Sequence, residues 1–245
     1  MVPTSDGQRY VDLHVHTTWS DGRWTPRQVV AEAAALDLAA IAVTDHDVLG
    51  GLAEAEVAAR ELGVEILAGV ELTADWDGRT VHILGYGINP EHERLRAALE
   101  RGRQLMGDHV DRVLSAVRAA GENLTVADLG KYRARYAGGA SLVLAMVERG
   151  VLKRAANGAA LLRLATREPR AYTAVEAIGL IHGAGGAASL AHPVRIRRDR
   201  PLLDATDLAP LAAAGLDAIE VWQIVHGRAE RQHYAAVADE LDLLV

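Results

Sequence analysis

The chain has 245 residues, half of them hydrophobic, so it can bury a sizeable core and is long enough for one large barrel or two modest domains. It contains no cysteine, which excludes disulfides, thiolate metal ligands and a thiol nucleophile, and which favours a cytoplasmic location. The formal net charge of −7 argues against general DNA binding, no apolar run is long enough to span a membrane, and the short polar start is unlike a secretory signal.

The first chemically suggestive motif follows a short apolar strand predicted over residues 10–13. His14 and His16 stand at the end of this strand. Residues two apart in a strand point to the same face, so both imidazoles project one way. Asp21 precedes a glycine, a turn pair that can fold the carboxylate back over the strand end. Two imidazoles and a carboxylate suit a divalent transition metal, although this motif alone is equally compatible with an ordinary turn.

The next segments alternate helices and strands in the pattern of a parallel α/β fold. Thr25 and Pro26 open the first helix as its cap and first turn. The pattern predicts strands over residues 38–43, 64–70 and 80–86, with a helix over residues 51–62 and a turn at residues 76–78. The first of these strands runs into Thr-Asp-His-Asp, which includes His46, the second ends at Glu71, and the third carries His82.

A change of pattern predicts a helical insertion over residues 89–170, which we expect to cap the mouth of a barrel formed by residues 1–88 and 171–245. The insertion begins with one long helix over residues 91–120. Beyond it we predict helices over 173–182, 208–214 and 228–241, strands over 187–191 and 216–222, and the start of another strand at 242–245. The strand over 187–191 runs directly into His192 and a proline.

Histidines and acids therefore stand where the predicted strands stop, namely His14, His16, Asp21, His46, Glu71 and His192, while His82 lies inside a strand. The carboxyl ends of parallel strands face a common mouth, and a buried imidazole needs a partner, so this set predicts a metal site. The other histidines receive different interpretations: His92 and His109 face solvent, His182 ends a helix, His233 lies on a surface helix, and His226 is a candidate substrate contact.

The ordered motifs His-x-His, Ser-Asp-Gly, Thr-Asp-His-Asp, Gly-Val-Glu, His-Ile-Leu-Gly-Tyr and Leu-Ala-His-Pro resemble the polymerase and histidinol phosphatase (PHP) family. The resemblance covers nearly the whole chain and is closest to bacterial nucleotide phosphatases and a 5′-to-3′ oligoribonuclease. It implies an α/β fold of the PHP type, a distorted (β/α)7 barrel with a helical insertion after the fourth strand. It also implies two to three divalent ions, commonly manganese, iron or zinc, with Glu71 bridging two of them. The ligand positions it implies are His14, His16, Asp21, His46, Glu71, His82 and His192.

Two stretches depart from the family pattern. Family members continue after the last barrel strand with a Gly-Ser-Asp-Phe-His-like motif that supplies an Asp and a His ligand. Here the sequence ends at Val245, just before that motif would begin, and we expect the motif to lie beyond it. Related phosphatases also carry an Arg and a His in the insertion where residues 139–142 read Gly-Ala-Ser-Leu. The resemblance therefore specifies the metal site more closely than the substrate.

From these patterns we expect a metal-dependent phosphoesterase that hydrolyses phosphate esters of nucleotides or small metabolites through a metal-activated water. Asp45 and Asp47 are expected to orient imidazoles. Arg195 and His226 are candidate substrate contacts, although Arg195 is equally compatible with a surface cation. The alternatives are a 5′-to-3′ exonuclease acting on short RNA and, if Val245 is the true end, a non-catalytic module that binds metal or nucleotide. The oligomeric state stays open.

Overall fold

The computed structural model describes residues 10–129, 139–196 and 202–245. Residue contacts divide the chain into two compact units, of which one includes the described residues up to 66 with those from 99 to 169. The other unit includes residues 67–98 and those from 170 to the end. None of the helices in the described ranges combines the length and the apolar composition that a membrane span requires.

The first unit contains a parallel strand pair and two helices, β1 (Val11–Val15), α1 (Pro26–Ala35), β2 (Ala40–Val43) and α2 (Leu52–Leu62). The predicted start of α1 is confirmed, because Thr25 accepts a hydrogen bond from the backbone of Gln28 and the Gln28 side chain bonds back to Thr25. Gly63 ends α2 in a left-handed conformation, with φ of 73°. The parallel pairing of β1 and β2 agrees with the pattern read from the sequence.

Between residues 87 and 170, the described part of the chain contains the helices α3 (Glu93–Ala119), α4 (Val126–Leu129), α5 (Gly139–Glu148), α6 (Val151–Arg154) and α7 (Gly158–Ala165). The long helix predicted over residues 91–120 is confirmed as α3. α7 begins at Gly158, because Ala155 has an extended backbone that ends α6. Apolar side chains from these helices form a core of their own, including Val113, Val117, Leu129, Leu142, Met146 and Leu161. The boundaries of the insertion at 89 and 170 stay a prediction.

The second unit is organised around an antiparallel hairpin, whose turn the sequence pattern predicts. β3 (Glu65–Trp76) pairs antiparallel with β4 (Arg79–Tyr86), and β4 pairs antiparallel with β5 (Ala187–Leu190). Asp77 and Gly78 form the connecting turn with φ of 54° and 76°. Two successive positive φ values are those of a turn whose twist matches a tight hairpin, so β4 returns alongside β3. The turn predicted at residues 76–78 is therefore confirmed, whereas the antiparallel direction of β4 departs from the parallel pattern of the first three strands.

The remainder of the second unit returns to the predicted parallel arrangement. It contains α8 (Ala174–Gly183), α9 (Ala205–Ala213), β6 (Ala218–Ile219) and α10 (Arg228–Glu240). β5 and β6 pair in parallel, with Leu190 opposite Ile219. Leu244 adds a parallel bridge to Ala218, in agreement with the strand predicted to begin at residue 242. α8 begins at the capping box of Thr173 and Glu176.

Candidate functional site

The first unit brings together four of the predicted ligands, His14, His16, Asp21 and His46, which we call the loop cluster. The Nε2 atoms of His14 and His16 lie 3.0 Å apart. Asp21 places one carboxylate oxygen 3.2 Å from Nδ1 of His16 and the other 3.9 Å from Nε2 of His46. Two imidazole nitrogens so close together repel each other unless a proton or a cation lies between them. The donor set of this cluster therefore fits a divalent cation.

A buried aspartate holds the loop that carries Asp21. Asp45 is 2% exposed, and its carboxylate accepts hydrogen bonds from the backbone and hydroxyl of Thr17, both at 2.7 Å, and from the Ser20 hydroxyl at 2.6 Å. The Ser20 oxygen lies 3.3 Å from Nδ1 of His16. Asp45 is expected to orient imidazoles, and in the structure it reaches His16 through Ser20.

Gly22 is required at the end of this loop by close packing. A Cβ atom at this position would lie 2.3 Å from the carbonyl oxygen of His16, which is too close for any other residue. The amide of Gly22 also donates a hydrogen bond of 3.0 Å to the Thr17 carbonyl. The Ser-Asp-Gly motif therefore folds as one turn. Ser20 donates a hydrogen bond to Asp45, and the Asp21 carboxylate lies near the imidazoles of His16 and His46.

The second unit brings together the other three predicted ligands, Glu71, His82 and His192, which we call the strand cluster. The Glu71 side chain is fully buried, and its Oε1 lies 3.0 Å from Nδ1 of His82 and 3.0 Å from Nε2 of His192. The two rings meet edge to face with centroids 5.2 Å apart. A buried carboxylate with two imidazoles on one oxygen has the donor chemistry of a divalent metal site.

The antiparallel register explains why Glu71 and His82 meet. Thr73 lies directly opposite His82, and residues opposite each other in a ladder project to the same face of the sheet. Glu71 is two residues from Thr73 and shares that face. The sequence placed Glu71 at the end of a strand, but β3 continues to residue 76, so Glu71 lies within it. This correction follows from the hairpin, which extends β3 beyond the apolar run that predicted it.

Burial lowers the pKa of His192 below its ordinary value, although the neighbouring Glu71 carboxylate acts in the opposite direction. A lowered pKa keeps the imidazole neutral near pH 7, with a lone pair on one ring nitrogen. Neutral imidazole is the form that binds a metal ion. The electrostatics of the strand cluster therefore favour the ligand form of His192.

The remaining three candidates belong to neither cluster. Arg195 lies in a short 3-10 turn after His192 and is exposed. His226 is 2% exposed, and its Nδ1 lies 3.0 Å from the carbonyl oxygen of Val221. Asp47 is buried and has a left-handed backbone, with φ of 51°. The roles predicted for these residues, substrate contact for the first two and imidazole orientation for Asp47, stay predictions.

Two histidines predicted to face solvent do not. His109 is 1% exposed, with Nε2 3.3 Å from the Ala165 carbonyl oxygen in the core of the insertion helices. His92 is partly buried and accepts a hydrogen bond from the backbone of Leu95 at the start of α3. Polar neighbours in the sequence suggested that both side chains are exposed. In the structure His109 packs among the insertion helices, and His92 caps α3.

The other two histidines lie near helix ends or on helix surfaces. His182 lies in the last turn of α8, as predicted, and contacts Asp217 at 2.7 Å. His233 lies on α10, where it is partly buried with Nε2 2.8 Å from the Leu203 carbonyl oxygen. Neither contacts the loop cluster or the strand cluster among the interactions of the described residues.

Sequence reasoning missed Glu220 and Ser20. Glu220 accepts a hydrogen bond of 2.6 Å from the backbone of His192, and Ser20 links Asp45 to His16. Glu220 directly follows the apolar pair of β6, as Glu71 follows the apolar run Ile-Leu-Ala-Gly-Val. The signal that identified Glu71, an acid directly after an apolar run, could therefore have found Glu220.

Comparison with protein families gives a match to the PHP domain over residues 12–160. A 5′-3′ exoribonuclease of Haemophilus influenzae is 32% identical over 245 residues, which cover 95% of this chain and 86% of the relative. A 3′,5′-nucleoside bisphosphate phosphatase of Chromobacterium violaceum is 33% identical over 241 residues, which cover 94% of this chain and 82% of the relative.

Comparison with solved structures supports the same fold. A Bifidobacterium adolescentis protein described as a metal-dependent phosphoesterase superposes with a TM-score of 0.79 and 29% sequence identity. The match covers 97% of this chain and 85% of that chain. The predicted fold class, an α/β fold of the PHP type with helices after the fourth strand, is confirmed.

Proposed function

The chain belongs to the PHP family of metal-dependent phosphoesterases, and from this premise we propose that it hydrolyses phosphate esters of nucleotides or other small phosphorylated metabolites. One observation carries the proposal furthest. The buried Glu71 carboxylate has an imidazole nitrogen of His82 and one of His192 at 3.0 Å each. A buried carboxylate is costly to maintain unless cationic or hydrogen-bonding partners compensate its charge, and a divalent ion supplies that compensation.

We propose that the ligands are the residues of the loop cluster and the strand cluster, and that they hold two to three ions of manganese, iron or zinc. Imidazole and carboxylate donors, with no thiolate in the chain, suit these metals. When bound, such ions lower the pKa of a coordinated water and neutralise charge on the phosphate. The family resemblance supports the same seven positions.

The chain's own residues contribute charge and position. Glu71 supplies a fixed negative charge in a buried setting, and the neutral His192 presents a lone pair beside it. In the loop cluster, Asp45 holds the turn that directs Asp21 at His16. No protein nucleophile is needed for hydrolysis of this kind, in keeping with the lack of cysteine.

The net charge and the two relatives indicate the class of substrate. Small phosphorylated molecules are favoured because the net charge of −7 opposes binding of an extended polyanion. The bisphosphate phosphatase of Chromobacterium violaceum supports a nucleotide substrate. The exoribonuclease of Haemophilus influenzae supports the second candidate, removal of nucleotides from the 5′ end of short RNA.

A comparison of substrates tests the proposal. With manganese present, phosphate release from mononucleotides and 3′,5′-bisphosphates is expected to exceed mononucleotide release from short RNA, whereas the reverse ranking would favour the exonuclease. The double variant His14→Ala, His16→Ala should lose most of its bound metal by elemental analysis. His182→Ala is the matched control, because His182 contacts Asp217 and belongs to neither cluster. Wild-type protein that contains no metal after folding with manganese, iron or zinc would contradict the proposal.

A further inference from the structure

His192 has a backbone conformation that its own sequence disfavours. Its φ is 29°, on the left-handed side that residues other than glycine rarely adopt. The residue that follows is Pro193, and a residue before proline is normally pushed to an extended backbone. A non-glycine residue in such a position persists only where its surroundings hold it there. Contacts around His192 must therefore hold its backbone in this conformation.

Glu220 makes a contact of this kind with the backbone of His192. Its Oε2 accepts a hydrogen bond of 2.6 Å from the backbone N–H of His192. A hydrogen bond to an ionised carboxylate is about twice as strong as one between neutral groups. This hydrogen bond fixes the peptide plane that precedes His192, the plane from which φ is measured. Relaxation of φ by rotation of that plane would break the hydrogen bond, so the bond opposes this relaxation.

The neighbouring strands place Glu220 for this contact. Leu190 pairs with Ile219 in the parallel ladder of β5 and β6, so the residues just beyond each strand lie side by side. The backbone N–H of Glu220 donates a hydrogen bond of 2.9 Å to the Leu190 carbonyl. The backbone of Glu220 is thus fixed to β5 two residues before His192, while its side chain holds the His192 amide.

The direction of the His192 side chain depends on this backbone. With φ of 29°, Nε2 of His192 lies 3.0 Å from Oε1 of the buried Glu71. A change in φ would swing Cβ and the ring away from that oxygen, because the backbone torsion sets the direction of the side chain. We propose that Glu220 is a positioning residue, which holds the strained amide of His192 so that the imidazole meets Glu71 and a divalent ion. This inference rests on the proposed function.

The same pair of strands contains a matched control. Asp217, just before β6, accepts a hydrogen bond of 2.7 Å from the backbone N–H of Ala188 in β5. It therefore makes the same type of contact as Glu220, from a carboxylate to an amide of β5, but the amide does not belong to a predicted ligand. Loss of Asp217 should disturb the strand pair without moving His192.

The experiment measures Mn²⁺ affinity by competition with a chelator on the full chain, with unfolding by urea as a separate measure of stability. Glu220→Ala is expected to weaken binding of an ion about 10- to 100-fold, the usual effect of losing a residue that orients a ligand. Glu220→Gln, which keeps an acceptor oxygen at the same reach, should recover most of that loss. Glu220→Asp keeps the charge but is one methylene shorter, so it should bind metal less tightly than the Gln variant. Asp217→Ala should leave Mn²⁺ affinity unchanged.

Three results would overturn the role of Glu220. They are wild-type affinity in Glu220→Ala, an equal loss in Asp217→Ala, and tighter binding by the Asp variant than by the Gln variant. If Glu220→Ala does not fold, the order of the Gln and Asp variants still decides. The affinities decide the matter even if the wild-type protein releases no phosphate from any ester, a result that contradicts only the proposed function.

Discussion

The loop cluster and the strand cluster use the same donor groups in opposite settings. The carboxylate of the loop cluster, Asp21, is 52% exposed on a turn, whereas that of the strand cluster, Glu71, is fully buried in the middle of a strand. Water solvates the Asp21 carboxylate, so its charge needs little stabilisation by other protein groups. The second depends on its imidazole partners and on a cation, because a buried charge without compensation is costly. Metal binding should therefore be more sensitive to the carboxylate of the strand cluster.

The largest expected effect comes from Glu71→Gln, which keeps the shape of the side chain and removes its charge. Loss of the charge should lower metal affinity and reduce kcat/KM for phosphate esters by roughly a thousandfold, equivalent to about 4 kcal/mol of transition-state stabilisation. The measurement is steady-state hydrolysis with saturating manganese. Glu65→Gln, at the exposed first position of the same strand, is the matched control and should retain full activity.

A loss of less than about tenfold in Glu71→Gln would contradict the central role given to the strand cluster. It would show that the exposed carboxylate of the loop cluster compensates the ions well enough alone. Metal binding would then be less sensitive to the carboxylate of the strand cluster than to that of the loop cluster.

A smaller effect, on stability, is expected from Asp45→Ala. This change removes the carboxylate that holds the turn of the loop cluster. The change leaves the donors of Thr17 and Ser20 without their shared carboxylate, so the free energy of unfolding should fall by about 2–4 kcal/mol. Asp45→Asn keeps an acceptor oxygen and should cost roughly half as much. Urea denaturation of the two variants without metal measures both values. Equal stability of Asp45→Ala and the wild type would show that the loop is held by other contacts.

The smallest effect concerns His109, a second buried histidine to compare with His192. Burial lowers the pKa of His109, and the Ala165 carbonyl only partly opposes this effect. In the unfolded chain the imidazole takes up a proton below about pH 6.5, whereas the folded protein resists protonation. The contribution of His109 to stability is therefore complete above that pH and is lost as the pH falls through its folded pKa.

His109→Gln should consequently reduce the loss of stability between pH 7 and pH 5, because glutamine does not titrate in this range. The measurement is the urea midpoint of metal-free protein at both pH values. His182→Gln is the control, since His182 is more than a third exposed. An unchanged pH dependence in His109→Gln would show that this histidine is solvated in the folded protein.

Local chemistry in the sequence was enough to predict where α1 begins. Thr25, predicted as a cap, forms the capping box of α1, because a capping contact joins residues only three apart. Three of the four residues of the loop cluster were predictable as neighbours for a similar reason, since His14, His16 and Asp21 lie within eight residues of one another. Interactions between residues close in the chain can be predicted from the local sequence alone.

The contacts that join distant residues were decided only by the tertiary structure. An apolar run alone does not specify which residues lie opposite each other in a hairpin, so the register that places Glu71 beside His82 could not be read from the sequence. Glu220 contacts the amide of a residue 28 positions away, and His109 contacts a carbonyl 56 positions away. Each of these contacts depends on which elements pack together, and packing is a property of the whole fold that no local pattern contains.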